Sequence, residues 1–315
     1  MIMKKILLSV VCLVMIGMQS VQAQVAIAAL HHAGNVAVFG EDKVANAIAA
    51  AVEGDTIYLS EGHFLGNITI DKPIHVIGSG QGTIVDGNVT ISIDNTPTLT
   101  GYMLVGMHII GDIIPNKSLN GLRISQCYFQ DYGRSKSGSA SDRITVTDLY
   151  VERSYCTRFF LNEVESGNVY SSKIKSLYCQ SPTGRTSLNH CNIRGDINSG
   201  DIGYFAINCL FGAQPSTSNA YQNCFINYSN SVSTEENCWH QNYNNTFFDD
   251  ELNCGFTDED LRTNGYIATD GTVIGITGGD APYTLSLATP KVLEHNIVVD
   301  KETKKLNVTL RVGNE

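Results

Sequence analysis

The sequence has little proline, 7 in 315 residues, and a single tryptophan. Positive charge is also scarce, with 21 Lys and Arg against 31 Asp and Glu. That balance argues against nucleic acid and anionic membranes as partners, because both are gripped through clustered Lys and Arg. The spacings that set up a tetrahedral metal site are missing, since no Cys-x-x-Cys and no His-x-x-x-His pair occurs. No cofactor is expected. Helix-favouring runs are nearly absent after Val52, while Gly, Asn, Ser and Thr abound, which points to an all-β chain. Long apolar runs are lacking except at residues 6–18, and that one is shorter than the roughly 20 residues a spanning helix needs.

This run follows Lys4 and Lys5 and precedes Val21-Gln22-Ala23. A charged start, a short apolar stretch and a small-residue cleavage site make an export signal over residues 1–23. The expected location is secreted, periplasmic or at the cell surface. The signal removes two Lys and no acid, so the net charge of −10 becomes −12. It also removes Cys12 and leaves eight cysteines. An even count in an exported chain invites disulfides.

Internal repeats point elsewhere. Segments starting at Leu104, Ile124, Val151, Val169, Leu188, Ala206 and Tyr221 share one template. It reads apolar, x, x, small or sulfur-bearing, x, apolar. A segment starting at Glu235 fits it less well. Most starts lie 14 to 20 residues apart, and the longer step after Ile124 contains a Gly- and Ser-rich insertion at residues 133–141. Such a period is too short for a helix pair and suits one coil of a parallel β-helix. Cys127, Cys191, Cys209, Cys224 and Cys238 share the fourth template position. Side chains stacked on parallel strands run side by side, which is poor disulfide geometry, so the column is read as buried free thiols. Asn208, Asn223 and Asn237 precede three of these cysteines and are expected at left-handed bends, joined in an amide ladder.

Residues 44–52 have apolar positions at helical spacing, with Asp42 placed to cap them. Gly54-Asp55-Thr56, Glu61-Gly62-His63 and residues 67–78 follow as strands and turns. This stretch resembles the start of the pectate-lyase-like superfamily, which includes pectin methylesterases. The resemblance implies a right-handed parallel β-helix whose open end is plugged by the helix. It implies no particular activity, because the fold hosts many. The methylesterase segments Gln-Asp-Thr-Leu and Asp-Phe-Ile-Phe-Gly have no counterpart, and Gln130-Asp131-Tyr132-Gly133 is the nearest approach. The coils are expected over residues 24–262. Residues 263–315 are expected to cap the last coil, with Asp270 to Gly279 ending the solenoid and alternation over 296–300 and 305–312 forming a hairpin.

Two kinds of site are candidates. Asp196 with Asp201, and Asp249 with Asp250 and Glu251, are acids in turns that could serve as an acid pair or take calcium. Each is as well explained as a solubilising surface turn. The Glu152–Arg153 pair near Asp148 reads as a solvated face, and His31, His32, His190 and His240 as structural or solvated. The position after each cysteine faces outward by the template. It holds Tyr128, Tyr155, Lys173, Asn192, Leu210, Phe225 and Trp239. Tyr128, Tyr155, Phe225 and Trp239 are the candidate ligand-binding residues, an aromatic stripe suited to sugar rings unless a loop or the C-terminal segment covers it. Three readings follow: a non-catalytic exported protein that binds polysaccharide or presents a surface, a polysaccharide lyase or hydrolase, and a structural cell-envelope component.

Overall fold

The computed structural model describes residues 26–40, 44–94, 101, 103–133, 144–179, 184–198, 203–216, 218–228, 234–241, 255–285, 291–300 and 305–313. The expected export signal, Asp42, the insertion after Gly133, Cys254, Asp201, Asp249, Asp250 and Glu251 lie outside the described residues.

Two long sheets carry the chain, sheet A with twelve strands and sheet B with thirteen. From Thr56–Leu59 onward, each coil gives one strand to sheet A and one or two to sheet B, and neighbours within each sheet pair in parallel. A chain that leaves a sheet, visits the other and returns one strand further along is coiling, which is consistent with a β-helix. In sheet A, Leu104, Ile124, Val151, Val169, Leu188, Ala206, Tyr221 and Glu235 are register partners in unbroken succession. All but Glu235 are buried. In sheet B, Phe129, Cys156, Ile174, Ile193, Phe211 and Ile226 form the facing inner column. Each buried aliphatic or aromatic side chain contributes about 1.5–3 kcal/mol, so one slipped coil would lose a whole row of such contacts.

The bends repeat as closely as the strands. Gln126, Arg153, Ser171, His190, Asn208, Asn223 and Asn237 all have φ between 43° and 56°. The left-handed region costs a non-glycine residue about 1–2 kcal/mol. A backbone ladder offsets that cost: each of the first six donates its N–H to a carbonyl of the following coil. The residue after each bend is Cys127, Ser154, Ser172, Cys191, Cys209, Cys224 or Cys238. Its hydroxyl or thiol donates to the carbonyl two residues back. Ser154 and Ser172 also accept the N–H of the preceding coil's residue at 3.2 Å, and Cys209 does so at 3.4 Å. Small, weakly polar side chains are what this crowded column can hold.

All seven described cysteines are free. Burial pushes the Cys127 thiol up to about 12, and a buried thiol is inert. Without reductant, alkylation of the native chain should therefore spare the six fully buried thiols, and alkylation after denaturation should label all of them. A described cysteine that resists labelling until a reductant is added would contradict the thiol column.

The asparagine ladder forms elsewhere than expected. The Asn208 amide turns to Thr269 and Asn189, and Asn223 Oδ1 has no partner among the described residues. Instead Asn67 Oδ1 accepts the Asn88 N–H and Asn88 Oδ1 accepts the Asp112 N–H, both at 2.9 Å. The Asp112 carboxyl then accepts the Asp131 N–H.

At the N-terminal end, Ile27–His32 (β1) and Asn35–Gly40 (β2) form an antiparallel hairpin that completes sheet A. The helix Val44–Ala50 (α1) buries Val44, Ala47 and Ile48 in the common core. At the other end, Lys291–Asp300 and Lys305–Gly313 do form a hairpin, but it pairs only with itself among the described strands. Glu235–Glu236 and Trp239–His240 remain the last strands of sheets A and B, so no strand of the hairpin extends either edge. Residues 270–279 do not end the coils. They belong to a segment, residues 255–285, that packs back along the outside of them. The division expected at residue 262 falls inside the short helix Asp258–Thr263 (α2) of that segment.

Candidate functional site

The outward column of sheet B runs in register through His63, Ile84, His108, Tyr128, Tyr155, Lys173, Asn192, Leu210, Phe225 and Trp239. Seven of these ten residues are the outward set expected from the template. His108 holds the same template position in the segment starting at Leu104, while His63 and Ile84 precede the first template segment and sit where alternation from the inward neighbours Phe64 and Val85 puts an outward residue.

Half of the column is covered. Leu210 and Phe225 have no exposed surface and join Phe256, Leu261, Tyr266, Ala268, Val273 and Ile274 in a second core. The Phe225 ring lies 5.4 Å from Phe256 and 5.3 Å from Tyr266, and Trp239 lies 5.3 Å from Tyr266. Helix α2 is only six residues long and is held by a capping box: Thr257 Oγ1 accepts the Asp260 N–H and the Asp260 carboxylate accepts the Thr257 N–H. It delivers Leu261 into the contact. Phe225 is therefore a packing residue, and the expectation that it faces solvent is corrected, while Trp239 packs against the same cluster and stays partly exposed. An apolar side chain is stable at an outward position only when something covers it.

Polar contacts fasten the rest of the segment. Asn208 Oδ1 accepts the Thr269 N–H at 3.0 Å, and the Gly275 N–H donates to the Asn208 carbonyl at 2.8 Å. His190 is buried, with Nε2 3.1 Å from the Asp270 carboxylate and Nδ1 3.2 Å from the Gly275 carbonyl. Burial alone would raise the Asp270 carboxyl, but bonds from Thr272 and the His190 ring outweigh it and hold the group below its ordinary value. Gly279 has φ 75° and passes so close to Tyr170 that a Cβ would strike the phenol oxygen. The segment then brings Tyr283 to Tyr155 and Tyr128, and burial pushes its phenol up.

The other half of the column is only partly covered, by Tyr283 beside Tyr155 and Tyr128. His63 is exposed, and His108, Tyr128 and Tyr155 are partly so. The His108 ring meets Tyr128 edge-on at 4.5 Å, and Tyr128 stacks on Tyr155 at 4.5 Å with 6° between planes. Two of the rings thus spend faces on each other, and what the column offers is a ridge of ring rims with their polar atoms. Burial, then the nearby His63, lowers the His108 imidazole from its usual value. It is neutral at pH 7, with one nitrogen to donate and one to accept. The ridge is rigid because each ring stands on a different strand of one sheet.

Of the candidate acids, Asp196 alone is among the described residues. Asp196 lies not in a turn but within the strand Asn192–Asn198, in register with the buried Leu177 and Phe159. A different pair sits near the ridge. Asp112 is raised by burial and then by Asp131, while Arg158 Nε donates to Asp131 Oδ1 at 2.8 Å. The repeat Gly66-Asn67-Ile68, Gly87-Asn88-Val89, Gly111-Asp112-Ile113 was the signal for this column. Glu152 is buried rather than solvated. It accepts from Ser125 Oγ at 2.9 Å and pairs with Arg153, while Arg123 pairs with Asp148 at 3.0 Å. His32 binds Asp55 and His240 binds Glu235, each at 2.8 Å, and His31 packs edge-on against Tyr58.

Among the described residues no cluster of three His, Cys, Asp or Glu could hold a metal ion. No described helix is long and apolar enough to cross a membrane. Compared with protein-family models, curated proteins and solved structures, the chain matches none.

Proposed function

We propose that this is an exported right-handed parallel β-helix of the pectate-lyase-like kind, plugged by α1, that holds polysaccharide on its partly exposed ridge without cleaving it. The observation that carries the reading is the row His108, Tyr128 and Tyr155, three rings in register at 4.5 Å steps on a rigid outer face. Ring rims offer C–H surface, and the phenol and imidazole atoms offer hydrogen bonds, the mixture a pyranose presents in return. The coil spacing of about 4.8 Å repeats along the ridge, which suits a chain ligand over a single small molecule. With a mature net charge of −12 the ridge favours a neutral glycan over a polyuronate.

The test is retention of the mature chain on immobilised polysaccharides. Tyr128→Ala with Tyr155→Ala should weaken retention at least about tenfold, the equivalent of about 1.4 kcal/mol. Trp239→Ala should leave it unchanged, because that ring packs on Tyr266. Equal retention of the wild type and the double variant would refute the ridge.

One observation favours a hydrolase as the second reading. Burial and then the neighbouring Asp131 raise the Asp112 carboxyl, and Asp131 itself pairs with Arg158, so two carboxyls in unlike surroundings stand side by side, as glycosidases require. Asp131 is nearly buried, which counts against it as a catalytic group. New reducing ends that disappear in Asp112→Asn would decide for this reading.

A further inference from the structure

We propose that the free edge of sheet A at β2 is a self-association surface, through which two copies of this chain pair antiparallel in a closed two-fold dimer. β2 is the terminal strand of the sheet, bonded to β1 on one side only among the described strands. Its sequence, Asn35-Val-Ala-Val-Phe-Gly40, holds no charge and no proline. A six-residue edge without a charge or a proline, and with no further strand on it among the described residues, lacks the usual sequence devices against edge-to-edge pairing. The outward face beside it is mostly apolar, with the exposed His31 opposite Val36 as its polar member. Val36 is 55% and Val38 66% exposed, with Ile27 at 39% and Tyr58 at 44% on the same face.

Charge selects the occupant. Everywhere else a net charge of −10 works against association of like copies. The opposite end of sheet A finishes in Glu235–Glu236, which protects that edge in the way β2 is not protected. Head-to-tail stacking would set those carboxylates against the apolar β2. Pairing β2 with β2 opposes no charges at all, and an isologous contact of this kind closes on itself instead of growing into a fibre. Residues opposed in an antiparallel pair lie on one face of the sheet. A two-fold axis at Ala37 therefore sets Val36 of each copy against Val38 of the other, and joins two twelve-stranded sheets into one.

The experiment is sedimentation equilibrium of the mature chain at micromolar concentrations. The wild type should give twice the monomer mass. Val36→Lys and Val38→Glu should each give the monomer mass, with unchanged circular dichroism because both side chains are exposed in the single copy. The double variant Val36→Lys/Val38→Glu should restore the dimer, since each new cation then faces a new carboxylate across the axis. A monomeric wild type, or a dimer that survives either single variant, would overturn the proposal. A double variant that stays monomeric would overturn the axis at Ala37. None of these outcomes depends on glycan retention, which reads a different face.

Discussion

Phe225→Ala should free the C-terminal segment from the coils while leaving the coils themselves folded. The ring is fully buried on the outer face of sheet B, against Phe256 and Tyr266. Truncating such a side chain costs about 3–5 kcal/mol through lost transfer energy and the cavity left behind. In a solenoid each coil depends mainly on its neighbours, so a loss on the outside need not propagate. Hydrogen exchange should show residues 255–285 losing protection by several orders of magnitude. Residues 149–193, whose core column lies on the other side of the sheets, should keep theirs. Uniform loss of protection would mean that the segment and the coils form one cooperative unit.

The second large effect is expected at Asn208. It stands in the left-handed column at φ 56°, and its amide accepts from the Thr269 N–H and donates to Thr269 Oγ1. Asn208→Val should cost about 3 kcal/mol, from about 1–2 for a β-branched residue in that region and about 1 for each lost bond. Asn208→Gly separates the two contributions. Glycine takes the positive φ without strain, so this variant should lose only the bonds to the segment. Denaturant melts of the pair should therefore differ by the bend term. Equal destabilisation would show that the left-handed bend carries no cost.

The contrast between these sites explains what the sequence could and could not disclose. The coil register was legible because Ile124, Val151, Val169, Leu188, Ala206 and Tyr221 face the same interior in successive coils. A constraint that repeats every coil leaves a repeat in the sequence. The bend column was legible only at Asn208, Asn223 and Asn237, because asparagine advertises a left-handed bend. Gln126, Arg153, Ser171 and His190 adopt the same φ with no such mark, compelled by the ladder on either side. The covering segment left no period at all. Phe256, Leu261, Tyr266, Val273 and Ile274 dock once each, at unequal spacing, onto a face that alternation marks as outward. The trace it did leave was Leu210 and Phe225, apolar residues at outward positions, together with a Thr257-x-x-Asp260 capping pattern. The ridge was half legible. Tyr128 and Tyr155 were found by template, but no pattern in the sequence shows that stacked rings turn their faces to each other.

The most direct test of the functional account is a binding screen of the purified mature chain against a panel of neutral and acidic polysaccharides. Products should be assayed in the same wells, with and without calcium. The account predicts retention on at least one neutral glycan, no unsaturated products, no new reducing ends and no dependence on calcium. Turnover of any polysaccharide, or an absence of retention across the panel, would contradict it.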